Sequence, residues 1–233
     1  MSITRSTRRP ADDRALRERH ALVVALTFVT GAADATGFLA LGGAFSSVMT
    51  GNMVLLGLST GTADAELARN AGSAIAAYVL GVLVGAWVAG TATDKDPVWP
   101  RQVTAALGLE LAALTVFAVL WELTQGERSP GLRLTLLAIA AAALGIQGSA
   151  VQRFGVPGLS STYLTGTLTT LIGGVAARRP RHELLPNARV LTALIVGAGA
   201  GAVVVDHAPR WSPALLVVPM AVISLLGWRL RTR

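Results

Sequence analysis

The chain contains no cysteine. That excludes a disulfide framework, a cysteine-ligated zinc site and a thiol nucleophile. It is almost without lysine: of its twenty basic residues only Lys95 is not arginine. Charged residues make up 14% of 233, about half the share a soluble domain carries. Aromatic residues are scarce and do not alternate with the arginines, so a net charge of +7 and a pI near 11.3 do not point to nucleic acid. There is no Ser-His-Asp order, Walker loop or glycine-rich dinucleotide turn. His20, His182 and His207 show no ligand spacing. Neither an enzyme nor a bound cofactor or metal is expected.

What the chain does have is apolar length. Hydrophobic residues make up 52% and the mean hydropathy is +0.57. They fall in runs of about 20, enough to cross roughly 30 Å of hydrocarbon as helices. A β-barrel would show short alternating segments instead. The expected fold is an all-α polytopic membrane bundle of six to eight segments in two homologous halves.

Two polar, glycine-containing stretches organise that bundle. Thr50-Gly51-Asn52 interrupts the apolar segment at about 46–60, and Thr165-Gly166-Thr167 interrupts the segment at about 158–175. Gly51 and Gly166 lie 115 positions apart. At that offset Ser46 meets Ser161, Asn52 meets Thr167, and Asp34 meets Ser149. Gly81 and Gly85 sit at GxxxG spacing, and so do Gly197 and Gly201; this spacing lets helix backbones approach closely. Matching broken segments in two halves are a pointer to a site within the membrane. The expected organisation is a basic tail (1–19), a first membrane repeat (20–124), an inter-repeat loop (125–131) and a second repeat (132–233).

Charge distribution orients the chain. If all eight segments cross, sixteen basic residues lie on the side of the N-terminus and four on the other. If the two broken segments dip in and return, the division is again sixteen to four. Either way both termini are expected in the cytoplasm of a bacterial inner membrane. The count does not separate eight crossings, which make parallel repeats, from six, which make inverted ones; the reading favours short, imperfect spans. The tail, the following apolar run and Ala33-Asp34-Ala35 imitate a secretory signal, but the run continues past the supposed cleavage point. Trp99, Trp121, Trp211 and Trp228 fall at span ends, as interfacial anchors would.

Few residues could carry chemistry. Asp34 lies inside the first span between Gly31 and Gly37; a charge there is costly and needs protein or water around it. It is the candidate coupling site for a proton or cation, against the plainer reading of an interhelical bond or an ion pair with Arg153. Thr50, Gly51, Asn52, Thr162, Tyr163, Thr165, Gly166 and Thr167 are the candidate solute-binding group: glycine permits an unwound turn, and freed backbone groups must meet protein, water or ligand. Gln147 is expected to line the same cavity, or to make an interhelical amide bond. Glu110 reads either as snorkelling to a wet edge or as lining a pathway.

The stretch Thr30-Gly31-Ala32-Ala33-Asp34-Ala35, followed by Ser47-Val48-Met49-Thr50-Gly51-Asn52, resembles the YoaK family of bacterial inner-membrane proteins. So does Gly145-Ile146-Gln147-Gly148 leading to Thr162-Tyr163-Leu164-Thr165-Gly166-Thr167-Leu168-Thr169, where the family's second-half motif has Gln-Asn. The resemblance implies a multi-pass inner-membrane protein and supplies no substrate or catalytic residue. The residues themselves favour a permease for a small solute or ion, with the lipid bilayer as surroundings. The GxxxG faces suit either internal packing or a homodimer. The rival is a non-transporting scaffold that docks a partner through the basic loop of Arg178, Arg179, Arg181 and Arg189. A weaker third option is a lipid-modifying enzyme using Asp34 or Glu110.

Overall fold

A computed structural model of the chain describes residues 10–91, 99–124, 128–153 and 164–231. Among these residues eight α-helices follow one another: α1 (Pro10–Ala40), α2 (Met49–Thr62), α3 (Ala65–Ala89), α4 (Arg101–Leu123), α5 (Pro130–Gln152), α6 (Leu164–Ala176), α7 (Arg181–His207) and α8 (Ser212–Arg231). A 3-10 turn, Pro209–Trp211, joins the last two. Six helices, all but α2 and α6, are long and apolar enough to cross a membrane. With 14 and 13 residues, α2 and α6 reach only about 20 Å at 1.5 Å per residue, short of roughly 30 Å of hydrocarbon.

Glycines set the tightest helix contacts. A Cβ on Gly81 would strike the Ala142 carbonyl, and one on Gly85 would lie 2.8 Å from the Ile146 Cα. Gly197 faces the Phe28 carbonyl in the same way, and Gly201 the Ala32 carbonyl at 2.8 Å. The two GxxxG faces therefore pack α3 on α5 and α7 on α1 inside one chain. In each pair the residue numbers rise together, so the partners run parallel.

Other contacts fix the remaining directions. Gln147 Nε2 donates to Thr30 Oγ1 at 2.8 Å, while a Cβ on Gly37 would lie 3.4 Å from Leu137; α1 and α5 are thus antiparallel. Trp121 Nε1 donates to the Pro209 carbonyl at 3.0 Å, and Trp99 covers Gly227; α4 and α8 are antiparallel as well. If α2 crossed, α1 and α5 would point the same way; if α6 crossed, α4 and α8 would. Both short helices therefore return to the face from which they started, so the chain has six crossings and the preference for short imperfect spans is corrected. We call the face where α1 begins the near face and its opposite the far face.

The contacts repeat with regular shifts. Phe28, Ala32 and Ala35 meet α7 as Ala142, Ile146 and Ser149 meet α3, a shift of 114. The facing glycines shift by 116. The register places Gly148, not Ser149, opposite Asp34 in the comparison of halves. The helices α2 and α6 begin 115 positions apart. Each ends in a left-handed non-glycine residue, Ala63 (φ 55°) and Arg178 (φ 54°). Each is closed by a long backbone bond, Asp64 N to Ser59 O at 3.0 Å and Arg179 N to Gly174 O at 2.9 Å, the six-to-one bond of a Schellman cap.

Two tryptophans depart from expectation. Trp99 and Trp121 are buried because their indole N–H groups bond inside the fold, to Thr104 Oγ1 at 2.9 Å and to Pro209 O. Trp211 and Trp228 are exposed, as interfacial residues would be.

Candidate functional site

The site is built where α1 ends and the chain turns back. Gly42 (φ 105°) and Gly43 (φ 76°) take left-handed conformations in succession, which glycine adopts at no steric cost. A Cβ on Gly42 would strike Asn70 Nδ2, and that amide donates to the Gly42 carbonyl at 3.0 Å. Residues 44–47 then fold back along α1. Phe45 stacks on Phe38 with ring centroids 5.0 Å apart. Gly37 leaves the room: a Cβ there would lie 2.8 Å from Ser46 Oγ and 2.9 Å from the Ala44 carbonyl.

Asp34 clasps this returning segment. Its Oδ1 accepts from the Ser47 backbone N–H at 2.7 Å and its Oδ2 from the Ser47 hydroxyl at 2.6 Å. Ser46 Oγ donates to the Ala33 carbonyl at 3.3 Å. Val48, the residue before α2, makes no side-chain cap, so the carboxylate stands just ahead of a helix N-terminus, where the helix dipole favours negative charge. Asn52 completes the clasp: Oδ1 accepts from Phe45 N at 2.8 Å and Nδ2 donates to Phe45 O at 2.7 Å.

One turn down α1, Thr30 Oγ1 donates to the Leu26 carbonyl at 3.0 Å and accepts from Gln147 Nε2. Gln147 is buried, and its Oε1 has no hydrogen-bond partner among the described residues. Thr30 and Asp34 are four residues apart on one face of α1, a rise of about 6 Å. The result is a polar column of buried Gln147, Thr30 and Asp34, ending at the half-buried Ser47, in an apolar core. It offers a carboxylate, two hydroxyls and an unclaimed amide oxygen, suited to a proton, a cation or a small hydrogen-bonding solute.

The structure separates the residues singled out above. Asp34, Asn52 and Gln147 are buried around the clasp. Thr50, Gly51 and Asn52 do not unwind a helix; they form the first turn of α2, and the break lies before them at Gly42-Gly43. Thr165, Gly166 and Thr167 likewise belong to the first turn of α6. Thr50 and Thr165 are exposed, whereas Thr167 is buried and bonded. Thr162 and Tyr163 lie outside the described residues. The ion pair of Asp34 with Arg153 does not form: Arg153 stands at the near face and donates to the Ala89 carbonyl, while Asp34 lies toward the far face. Glu110 is fully buried in α4, with no hydrogen-bond partner for either oxygen among the described residues, so it does not snorkel. No group of three or more His, Asp or Glu residues among those described could hold a metal.

Thr30 and Ser47 stand in the motifs quoted above but carry no role from sequence, and the Gly42-Gly43 turn is not among the residues singled out there. The glycine pair was a readable turn signal. Thr30 and Ser47 acquire their roles only through contacts across the fold.

Six apolar crossings, with a returning segment held on a buried carboxylate, define a polytopic helical membrane protein. The chain belongs to the family described as "Protein of unknown function (DUF1275)", which matches residues 22–226. It is similar to the UPF0700 transmembrane protein YoaK of Bacillus subtilis (strain 168), with 33% identity over 210 residues, covering 88% of this chain and 91% of that protein. No solved structure matches the chain.

Proposed function

We propose that this chain is a permease for a small solute or ion in a bacterial inner membrane, made of two homologous halves inverted relative to one another. The conserved shifts of 114, 115 and 116 between corresponding contacts support an internal duplication. The antiparallel course of α1 and α5 supports its inversion, an arrangement shared by many transporters whose sites lie at the repeat interface. Among the described residues, eleven basic positions lie toward the near face and four toward the far face, which supports cytoplasmic termini.

The observation that carries the reading is the Asp34–Ser47 clasp. The ionised carboxylate accepts two charge-assisted bonds from Ser47, and a proton on one oxygen weakens or reverses the bond at that oxygen. A proton or a cation arriving at Asp34 competes with the serine N–H and O–H, and so loosens the segment that holds α2 against α1. Asp34 is then the coupling residue, with Thr30, Ser47 and Gln147 facing the solute. Asn52 acts as a brace, since its amide is already bonded to Phe45.

The test is a thermal-stability screen of the purified protein against metabolites and ions, followed by uptake of any hit into proteoliposomes. A ligand of the folded state raises apparent stability by RT ln(1 + [L]/Kd). The expected result is a hit whose effect and uptake disappear in Asp34→Asn and Gln147→Leu and persist in Thr165→Val. A folded protein that gives no hit, or a hit indifferent to Asp34, would overturn the permease reading and favour a scaffold.

A further inference from the structure

Toward the near face, below the crossing of Phe28 with Gly197, α1 and α7 part. The gap is an open-sided groove of about 480 Å³, within the size range of small-molecule sites. Small side chains make the room: Ala21 and Ala25 on α1, Ala188 and Ala193 on α7, with Phe28 at its inner end. Arg189 is its one charged lining residue and is exposed. Arg189 and Arg19 both lie close enough to His20 for their charges to act on its ring. On the same stretch Arg17 and Arg181 add positive charge, against Glu18 and Glu183.

We propose that this groove binds an anionic phospholipid, with its phosphate at Arg189 and one acyl chain lying along the alanines toward Phe28. Two features argue for this occupant. The groove is apolar along its length and cationic at its mouth, the polarity of a lipid with a negative headgroup. Arg189 stands at the membrane boundary, where Val190 begins the apolar part of α7, and basic pockets between transmembrane helices at this level suit anionic headgroups. The corresponding place on the other half argues for specificity. At the shifts found above, Arg189 corresponds to Ser73 and Ala25 to Ile139, so the α3–α5 side lacks the charge and carries a larger side chain at one lining position.

The experiment uses the full chain, delipidated in detergent, with phosphatidylglycerol, phosphatidylcholine or inorganic phosphate added. Bound lipid is counted by native mass spectrometry and thermal stability is measured alongside. Phosphatidylglycerol is expected to stay bound and to raise the melting temperature more than phosphatidylcholine does. Arg189→Gln is expected to weaken its retention about fivefold, the contribution of one arginine near an anionic lipid surface, while Ser73→Gln leaves it unchanged. Ala193→Phe, which fills the groove, is expected to lower retention; Ala25→Leu serves the same purpose if the larger side chain prevents folding. Equal retention of the two lipids, an unchanged Arg189→Gln protein, or a stability gain reproduced by phosphate alone would each overturn the proposal.

Discussion

At the scale of single residues, two buried carboxyl groups stand in contrast. Asp34 is satisfied: both oxygens accept from Ser47, and a helix begins just beyond. Glu110 is fully enclosed, with no hydrogen-bond partner for its oxygens among the described residues. An unpartnered buried polar group costs about 1–3 kcal/mol. Glu110→Met is therefore expected to raise stability by roughly that amount, read as a higher melting temperature in detergent. Functional sites are where such costs are tolerated, so a stabilised variant that loses uptake would mark Glu110 as part of the working machinery. A lower melting temperature would show that the carboxyl group has a partner in the membrane. Asp34 was legible as a residue to watch, since an acid in an apolar span needs a reason. Its partner was not: Ser47 is thirteen positions away and reaches it only after Gly42-Gly43 reverses the chain.

At the scale of elements, glycine has two separate jobs that spacing alone does not distinguish. Gly81, Gly85, Gly197 and Gly201 are contact glycines, each with another helix's backbone where a Cβ would go. Gly166 and Gly173 have open space there. Gly81→Ala and Gly197→Ala are expected to destabilise by about 1–3 kcal/mol, the usual cost of overpacking. Gly166→Ala is expected to change little. Thermal unfolding of the three variants side by side checks the difference, and equal effects would disprove the contact assignment. The recurrence of GxxxG was readable in the sequence. That each motif grips a helix of the other half, α3 on α5 and α7 on α1, was not. Nor was the role of Thr50-Gly51-Asn52, because one turn of helix and one unwound turn accept the same short polar residues.

At the scale of the whole molecule, the decisive feature is direction. Six crossings, with two short helices turned back, put Ala65 and Arg179 on opposite faces; eight crossings would put them on the same face. The chain has no cysteine, so Ala65→Cys and Arg179→Cys each introduce a single label site, and both positions are exposed. A membrane-impermeant maleimide applied to one side of sealed vesicles is expected to label only one of the two. Labelling of both from that side would restore the eight-crossing arrangement and remove the inverted halves on which the permease reading rests.

Composition and hydropathy by themselves determined the membrane class, the number of apolar segments and the approximate place of the two short ones, because insertion into hydrocarbon depends on local apolar length. The sequence also carried two recurrences, at 115 between the short segments and at 116 between the GxxxG pairs. The shift of 114 between the α1 and α5 contacts emerged only from which side chains meet. Charge counting could not choose between six and eight crossings, since turning the two short segments back moves equal numbers of basic residues in each direction. That choice belonged to the tertiary structure. Helix direction is set by packing between segments far apart in the chain: Thr30 with Gln147, Trp121 with Pro209, Asn70 with Gly42. The same long-range packing brings Ser47 to Asp34 and opens the groove beside Arg189.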